Sequence, residues 1–287
     1  MQLPFIIIFD IDNCIIGNIH NCTHEQGIID ILYKNCKKDK ITNVCVNKTI
    51  DITNELKEGL LRPNLKDFVE FCKKKYKNVE LFLYTNSSYK WTNTTLVYNI
   101  EKASKIKFNK PYFTRENSNN NKKLISNIYD DIIKVLSKKY PQLSKDINKE
   151  TVFNTRLMMI DDIPNNIQDF SNKQIVCPEY NYRPYYNIEE KIINKYKIPE
   201  KLFNDKEILD YFDYNFLPIY NMNGNYLQKD KTILNIIELY NTRLSELNNK
   251  VPDTFFNDLI KILEKKDIIM NDKNIEKINK EIQNLSK

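Results

Sequence analysis

Four apolar runs lie within the first 180 residues of the chain, and each ends abruptly at a polar residue or a proline. They cover residues 3–9, 79–84, 156–160 and 174–177, and are followed by Asp10, Thr85, Asp161 and Pro178. Continuous apolar strands of this length are typical of a sheet that is covered on both faces. The pattern therefore predicts four buried strands.

The segments between these runs carry apolar residues at helical spacing. One face of residues 64–75 gathers Leu65, Phe68, Val69 and Cys72, and one face of residues 123–138 gathers Leu124, Ile128, Ile132, Val135 and Leu136. Residues 141–155 are mostly polar and predict an exposed connection. Strands that alternate with helices predict an α/β fold with a doubly wound, Rossmann-like parallel sheet.

No further run typical of a buried strand occurs after about residue 184, and the pattern of the remaining residues predicts mostly helices. Helical stripes occur at residues 231–247, 253–263 and 274–285, between interrupting prolines. We therefore predict a core of residues 1–184, with a small insertion at about 18–58, and a mostly helical C-terminal extension of residues 185–287.

Composition favours a globular chain outside the membrane. Hydrophobic residues make up 41% and charged residues 29% of the 287 positions, so the chain can bury a sizeable core. No apolar run approaches the ~18–20 residues that span a bilayer. The first run lacks the basic flank of a signal peptide. An intracellular location, in cytoplasm or nucleus, is the expectation, and the six irregularly spaced cysteines are then expected to be reduced.

The positive charge is unevenly distributed. The net charge of +6 divides into +7 for residues 1–184 and −1 for residues 185–287. This bias suits an anionic substrate but is weak as the footprint of a nucleic-acid-binding protein. Lysine, asparagine and isoleucine abound while alanine occurs once, which indicates an AT-rich genome such as those of some large DNA viruses and protozoa. Lysine and asparagine runs therefore carry less weight here.

Three of the four predicted strands end in a residue that can do chemistry. Ligands of open α/β sheets bind at the carboxyl ends of the strands, so Asp10, Thr85 and Asp161 are expected to converge. Asp12 lies two residues beyond Asp10 and shares its side of an extended segment. With Asp162 added, the crevice holds up to four carboxylates, which predicts a divalent cation with oxygen ligands, most simply Mg²⁺.

These motifs, in this order, resemble those of the haloacid-dehalogenase-like (HAD) superfamily of phosphohydrolases. The likeness spans about residues 3–180 and consists of IIIFDID at 6–12, LFLYTNS at 81–87, a lysine at 122 or 123, and LMMIDDIPNN at 157–166. LRPNLKDFVEFC at 61–72 and FTREN at 113–117 look like motifs of the NIF-like branch, the phosphatases of the RNA polymerase II C-terminal domain. That branch often ends its last motif in Asp-Asn, where this chain has Asp-Asp.

The resemblance implies a role for each matching residue. Asp10 matches the nucleophile that forms an aspartyl-phosphate, and Asp12 matches the general acid and base, whose backbone carbonyl also meets the metal. Thr85 and Asn86 match the phosphate-binding segment, and either Lys122 or Lys123 matches the motif lysine. The implied metal site comprises Asp10, Asp12, Asp161 and Asp162, with Mg²⁺ as cofactor.

The function implied by the resemblance is a Mg²⁺-dependent phosphomonoesterase acting on phosphoserine or phosphothreonine of a protein. The 36 residues between Thr85 and Lys122 leave no room for a large cap, which suits a phosphorylated macromolecule. Two alternatives stay open: a nucleotide or polynucleotide-end phosphatase, and a catalytically silent interaction subunit of the same fold. In either case the C-terminal helices are candidates to bind a protein partner or a second copy.

The two histidines of the chain fall in one short segment. His20, Cys22 and His24 lie together, with Cys36 and Cys45 further along. Histidine and cysteine are good zinc ligands, but these spacings match no established zinc pattern. The competing interpretations are a zinc site in the insertion and an ordinary segment with scattered cysteines.

Overall fold

A computed structural model describes residues 2–35, 49–120, 122–182, 194, 206–208, 210–211, 253–265 and 269–285. The chain divides into two compact units. The first comprises residues 1–18, 53–181 and 251–287, and the second comprises residues 19–52 and 182–250. The second unit contains helix α1 (His20–Asn35). All other elements described below belong to the first unit.

The first unit is built on a four-stranded parallel sheet. Its strands are β1 (Phe5–Phe9), β2 (Val79–Leu83), β3 (Leu157–Asp161) and β4 (Gln174–Val176), in the spatial order β2-β1-β3-β4. All three pairings are parallel. The α/β class and the four predicted strands are thereby confirmed, each within two residues of its predicted ends.

The first unit has five longer helices within the described part of the chain. They are α2 (Leu65–Lys75), α3 (Val97–Ser104), α4 (Tyr129–Lys139), α5 (Phe255–Glu264) and α6 (Asp272–Leu285). Shorter helical segments occur at Thr53–Glu55, Leu56–Leu60, Tyr89–Trp91, Thr92–Leu96, Arg115–Asn117, Ile125–Asn127, Pro141–Leu143, Lys149–Phe153 and Ser171–Lys173.

One face of the sheet packs on aromatic side chains of α2, α5 and the residue that follows α2. Phe5 stacks on Tyr76 with ring centroids 4.1 Å apart. Phe9 contacts the ring edges of Phe68 in α2 and Phe256 in α5, at centroid distances of 6.2 and 6.4 Å. The predicted apolar face of α2 is fully buried, which explains why an 11-residue helix forms at this position.

The opposite face packs on α4. Ile6 and Ile8 of β1 belong to the same buried cluster as Ile132 and Leu136 of α4. Helix α4 starts at Tyr129, six residues later than the predicted start at 123. The residues before it instead form an extended pairing at Lys123 and a short helical turn. Both faces of the sheet are therefore covered, as continuous apolar strands require.

The prediction of an exposed connection at residues 141–155 is confirmed for its polar residues, most of which are exposed, and is wrong for four apolar residues. Leu143, Ile147, Val152 and Phe153 are all buried in the cluster beneath α4. Leu143 lies in one short helical turn, Val152 and Phe153 lie in a second, and Ile147 lies between them, so no continuous helix or strand pattern marks the segment.

The C-terminal helices belong to the unit that contains the sheet. Helix α5 packs against α2, and α6 packs against β4. Their apolar residues are buried, namely Phe255, Phe256, Leu259, Ile262, Leu263, Ile275, Ile278 and Ile282. This division differs from the predicted single extension of residues 185–287, because these apolar stripes find partners within the first unit. The predicted helix at 231–247 lies outside the described residues.

Helix α6 lies along the edge of the sheet. The Val176 amide donates to Asn279 Oδ1 at 3.0 Å, and Asn279 Nδ2 donates to the Gln174 carbonyl at 2.9 Å. One side-chain amide thus makes the pair of hydrogen bonds that a neighbouring strand would make. The buried Lys173 ammonium adds an ion pair with Asp272, at 2.5 Å, at the start of the same helix. None of the described helices combines the length and the apolar character of a membrane span.

Candidate functional site

The sheet register brings three strand ends to one level. Phe9 pairs with Leu83 on one side and with Ile160 on the other. The next residue of β1 is Asp10, which is 5% exposed, and Asp161 beside it is fully buried. The expected convergence of the strand ends is therefore present in the structure.

Lys123 is the lysine that reaches this edge of the sheet. Its backbone pairs with the segment after β3, donating to the Asn166 carbonyl at 2.9 Å and accepting from the Gln168 amide at 3.0 Å. Its fully buried Nζ lies 2.7 Å from Asp10 Oδ1 and 2.7 Å from Asp161 Oδ2. Of the two candidate lysines, the structure thus brings Lys123 to the carboxylates.

Lys122 lies on the outside of the same turn. It exchanges backbone hydrogen bonds with Asn119, and its partly exposed ammonium faces the Asn165 carbonyl at 3.4 Å. Adjacent residues of an extended segment point to opposite sides. Only one of the two lysines can therefore face the site.

The charges at this edge perturb one another. Burial raises the pKa of Asp10 well above its ordinary value, the nearby Asp161 and Asp12 raise it further, and Lys123 opposes them. Burial works against the charge of Lys123, but the attraction of Asp10 and Asp161 outweighs it and raises the lysine pKa. One ammonium therefore faces a surplus of carboxylates, which favours the binding of a further cation.

Three carboxylates are arranged to hold such a cation. Asp10, Asp161 and Asp162 each offer an oxygen, and these oxygens lie within 4.8 Å of one another. Asp162 Oδ1 is buried and has no hydrogen-bond partner among the described residues. Burial and the neighbouring Asp161 raise the pKa of Asp162 to about 6. Hard oxygen ligands and an orphaned carboxylate oxygen fit Mg²⁺.

Asp161 is held rigidly within this set. Its Oδ1 accepts from the Ile163 amide at 3.0 Å, and its Oδ2 accepts from Asn166 Nδ2 at 3.0 Å and from Lys123. The turn that follows β3 therefore folds back on the carboxylate that ends the strand. Such outer contacts fix the orientation of a metal-binding carboxylate.

Asp12 is engaged differently from the other three carboxylates. Its Oδ2 accepts from Thr85 Oγ1 at 3.1 Å and from Ser87 Oγ at 2.8 Å. Its side chain is not part of the cluster of Asp10, Asp161 and Asp162. The structure therefore joins Asp12 to the segment after β2. Ser87 was not singled out from the sequence, although its position two residues beyond Thr85 was the available signal.

The segment after β2 is itself braced. The Ser87 amide donates to Thr85 Oγ1 at 3.0 Å. Asn86 Oδ1 accepts from Ser118 Oγ at 3.0 Å, and the Asn86 carbonyl accepts from Arg115 Nε at 2.8 Å. The Asn86 side chain, predicted to bind phosphate, is thus used to fix the segment, while Thr85 and Ser87 face the carboxylate of Asp12.

The loop after Asp12 is anchored at successive residues. Asn13 adopts a left-handed conformation with φ of 57°, which asparagine tolerates better than most residues. Its carbonyl accepts from the Tyr180 amide at 2.7 Å. The Cys14 carbonyl accepts from Arg62 Nη1 at 3.0 Å, and Cys14 Sγ donates to the Ile160 carbonyl at 3.4 Å. Arg62 was not predicted to have this role.

Comparisons of the chain with protein-family models, with curated proteins and with solved structures found no significant match. The function of the site is therefore argued from its own geometry.

The proposed zinc site falls largely outside what can be described. Cys36, Cys45 and the side chains of His20 and His24 lie outside the described residues, and Cys22 is buried in α1. The zinc interpretation stays a hypothesis.

Proposed function

We propose that the chain is a Mg²⁺-dependent phosphomonoesterase of the HAD superfamily, similar to its NIF-like branch. The observation that carries this proposal is the placement of Lys123 at 2.7 Å from both Asp10 and Asp161. Asp162 completes a set of oxygen ligands beside this pair. Asp12 accepts hydrogen bonds from the hydroxyl groups of Thr85 and Ser87.

In this proposal Asp10 is the nucleophile. One of its carboxylate oxygens attacks the phosphorus, and the bond from phosphorus to the leaving oxygen breaks as the aspartyl-phosphate forms. Lys123 supports this step, because its charge partly neutralises the carboxylate and the incoming phosphoryl oxygens. Mg²⁺, held by Asp10, Asp161 and Asp162, would screen the remaining negative charge between enzyme and phosphate.

Asp12 is the proposed general acid and base. It gives a proton to the leaving oxygen in the first step. It then takes a proton from the water that attacks phosphorus, while the bond between phosphorus and Asp10 breaks and frees phosphate. The hydroxyl groups of Thr85 and Ser87 orient Asp12 in the structure. When substrate binds, the same hydroxyl groups can donate to phosphoryl oxygens in place of Asp12.

The proposed substrate is phosphoserine or phosphothreonine in a protein segment. Between Thr85 and Lys122 the described residues form α3, short helical turns and a segment that pairs with the edge of β2. The described residues of this stretch do not form a separate cap domain. A site of this kind would admit a phosphate carried on a large chain.

The test is hydrolysis of 4-nitrophenyl phosphate by the purified chain, with Mg²⁺ and with EDTA, alongside Asp10→Asn. Asp130→Asn, an exposed carboxylate on α4, is the matched control. We expect activity that EDTA and Asp10→Asn abolish and that Asp130→Asn retains. No activity in the wild type, or equal activity in Asp10→Asn, would overturn the proposal.

The substrate class needs its own comparison. A phosphoserine peptide and a 5′-phosphorylated oligonucleotide can be offered at equal concentration, with released phosphate as the readout. We expect faster release from the peptide. Faster release from the oligonucleotide, weakened steeply by salt, would replace the protein substrate with a polynucleotide end.

A further inference from the structure

Arg62 is a buried cation that the proposed chemistry does not use. Its side chain is fully buried, and its partner Asp253 is 17% exposed. The two form a paired contact, with Arg62 Nε 2.9 Å from Asp253 Oδ1 and Nη2 2.8 Å from Asp253 Oδ2. Asp253 lies just ahead of α5, so this pair joins the C-terminal segment to the segment that precedes α2.

The same guanidinium holds the loop that follows Asp12. Arg62 Nη1 donates to the Cys14 carbonyl at 3.0 Å, and Nη2 donates to the Pro178 carbonyl at 2.9 Å. The Arg62 backbone amide also donates to the Ile15 carbonyl at 2.9 Å. The loop is thus held two and three residues beyond the proposed general acid.

The position of Arg62 depends on Asp253. A buried guanidinium requires an anionic partner, and removing that partner leaves an uncompensated charge. Around it lie the rings of Phe255, at 4.5 Å from Cζ, and of Tyr180, at 5.4 Å, which confine it but do not neutralise it. Asp253 is the carboxylate paired with it in the described part of the chain.

We propose that Asp253, acting through Arg62, positions Asp12 for proton transfer to the leaving oxygen. This inference rests on the proposed phosphatase function. Asp253 and Arg62 are positioning residues, since neither reaches the carboxylates of the site. Residues 251–287 then contribute to the site, because their contact with Arg62 affects proton transfer from Asp12.

If Asp253 and Arg62 position Asp12, their loss changes how the rate depends on the leaving group. Phenol is a more basic leaving group than 4-nitrophenol, so phenyl phosphate depends more on proton donation than 4-nitrophenyl phosphate does. A displaced Asp12 therefore lowers kcat/KM for phenyl phosphate more than for 4-nitrophenyl phosphate. General loss of folded protein lowers both values equally and leaves their ratio unchanged.

The experiment measures this ratio for the full chain, for Asp253→Asn and for Asp272→Asn. Asp272 is the matched control, because it lies in the same C-terminal segment as Asp253 and also pairs with a buried cation, Lys173. The contacts of Lys173 Nζ are with Asn154, Met270 and Asp272, away from the loop after Asp12. Asp253→Glu serves as a milder variant that keeps the charge and lengthens the side chain.

We expect Asp253→Asn to lower the phenyl to 4-nitrophenyl ratio by about tenfold, the scale of a misplaced proton donor. Asp253→Glu should lower it less, and Asp272→Asn should leave it within about twofold of wild type. An unchanged ratio in both Asp253 variants, or an equal fall in Asp272→Asn, would overturn the positioning role while leaving the phosphatase in place. A wild type that hydrolyses neither ester would overturn the proposed function itself, and this inference with it.

Discussion

The ammonium of Lys123 faces two buried carboxylates at 2.7 Å, and its neighbour Lys122 faces a backbone carbonyl at the surface. Two adjacent residues of identical chemistry thus have different surroundings. The Lys123 side chain is fully buried between charged groups, and the Lys122 side chain is partly exposed to solvent. The same substitution at the two positions can therefore be compared directly.

Lys123→Met should destabilise the metal-free protein by about 3–5 kcal/mol, because Asp10 and Asp161 lose their buried counter-charge. Lys122→Met should change the free energy of unfolding by less than about 0.5 kcal/mol. Urea denaturation in EDTA measures both values. Equal effects of the two substitutions would show that Lys123 is not the residue that compensates the carboxylates.

Asp162→Asn should raise the melting temperature in EDTA at pH 7. The pKa of Asp162 is raised to about 6 in the folded state, so the folded protein binds this proton more tightly than the unfolded chain does. Stability therefore falls as pH rises from about 4 to 6, and the asparagine removes this penalty, worth about 1 kcal/mol after allowance for partial exposure.

The gain in Asp162→Asn should shrink as pH falls toward 4, since both states of the wild type then carry the proton. Mg²⁺ at pH 7 should raise the melting temperature of wild type more than that of the variant, because one oxygen ligand is lost. Differential scanning calorimetry with and without Mg²⁺ checks both. A lower melting temperature for the variant in EDTA at pH 7 would refute this account of Asp162.

At the scale of elements, one side chain of α6 makes both hydrogen bonds to the edge of β4. Asn279→Ala removes both hydrogen bonds to the edge of β4 and leaves the Val176 amide without this partner. We expect a loss of about 1–3 kcal/mol in unfolding free energy. Lys277→Ala, on an exposed position of the same helix, is the control and should change little. A neutral Asn279→Ala would mean that the helix is held by its apolar face alone.

The elements were predictable from sequence where an apolar pattern is continuous. Each strand of the sheet is a continuous run of mostly buried residues, and α2 carries an unbroken apolar stripe, so the apolar pattern alone located them. The pattern failed where burial is achieved by short turns. Phe153 and Val152 lie in a polar stretch, and their burial depends on the cluster beneath α4 rather than on local periodicity.

The site was predictable in part for the same reason. Asp10, Thr85 and Asp161 lie at the end of a strand or within two residues of it, and parallel strands align their ends. Lys123 could not be separated from Lys122 by sequence, because the choice depends on a pairing with Ile167 that is distant along the chain. Arg62 was visible only as part of a motif, since its partner Asp253 lies 191 positions away.

At the scale of the whole molecule, the first compact unit is assembled from three separate stretches, of which residues 251–287 form one. A chain ending at residue 250 would lack α5, α6 and Asp253. We expect it to lose the cooperative thermal transition of the sheet-containing unit, because α2, β4 and Arg62 would each lose a packing partner. Calorimetry of the truncated chain checks this, and a retained transition would show that the C-terminal helices are dispensable for folding.

Asp253 and α6 follow all four strands in the sequence and are therefore synthesised after them. Translation makes all four strands before the residues that cover the edge of β4 and neutralise Arg62. Domains generally fold as units while they are synthesised, and an unpaired strand edge invites contact with other chains. The nascent chain therefore carries an open strand edge, and Arg62 lacks its carboxylate partner, until Asp253 and α6 have been made. Chaperone protection matters most in the interval between the synthesis of β4 and the synthesis of α6.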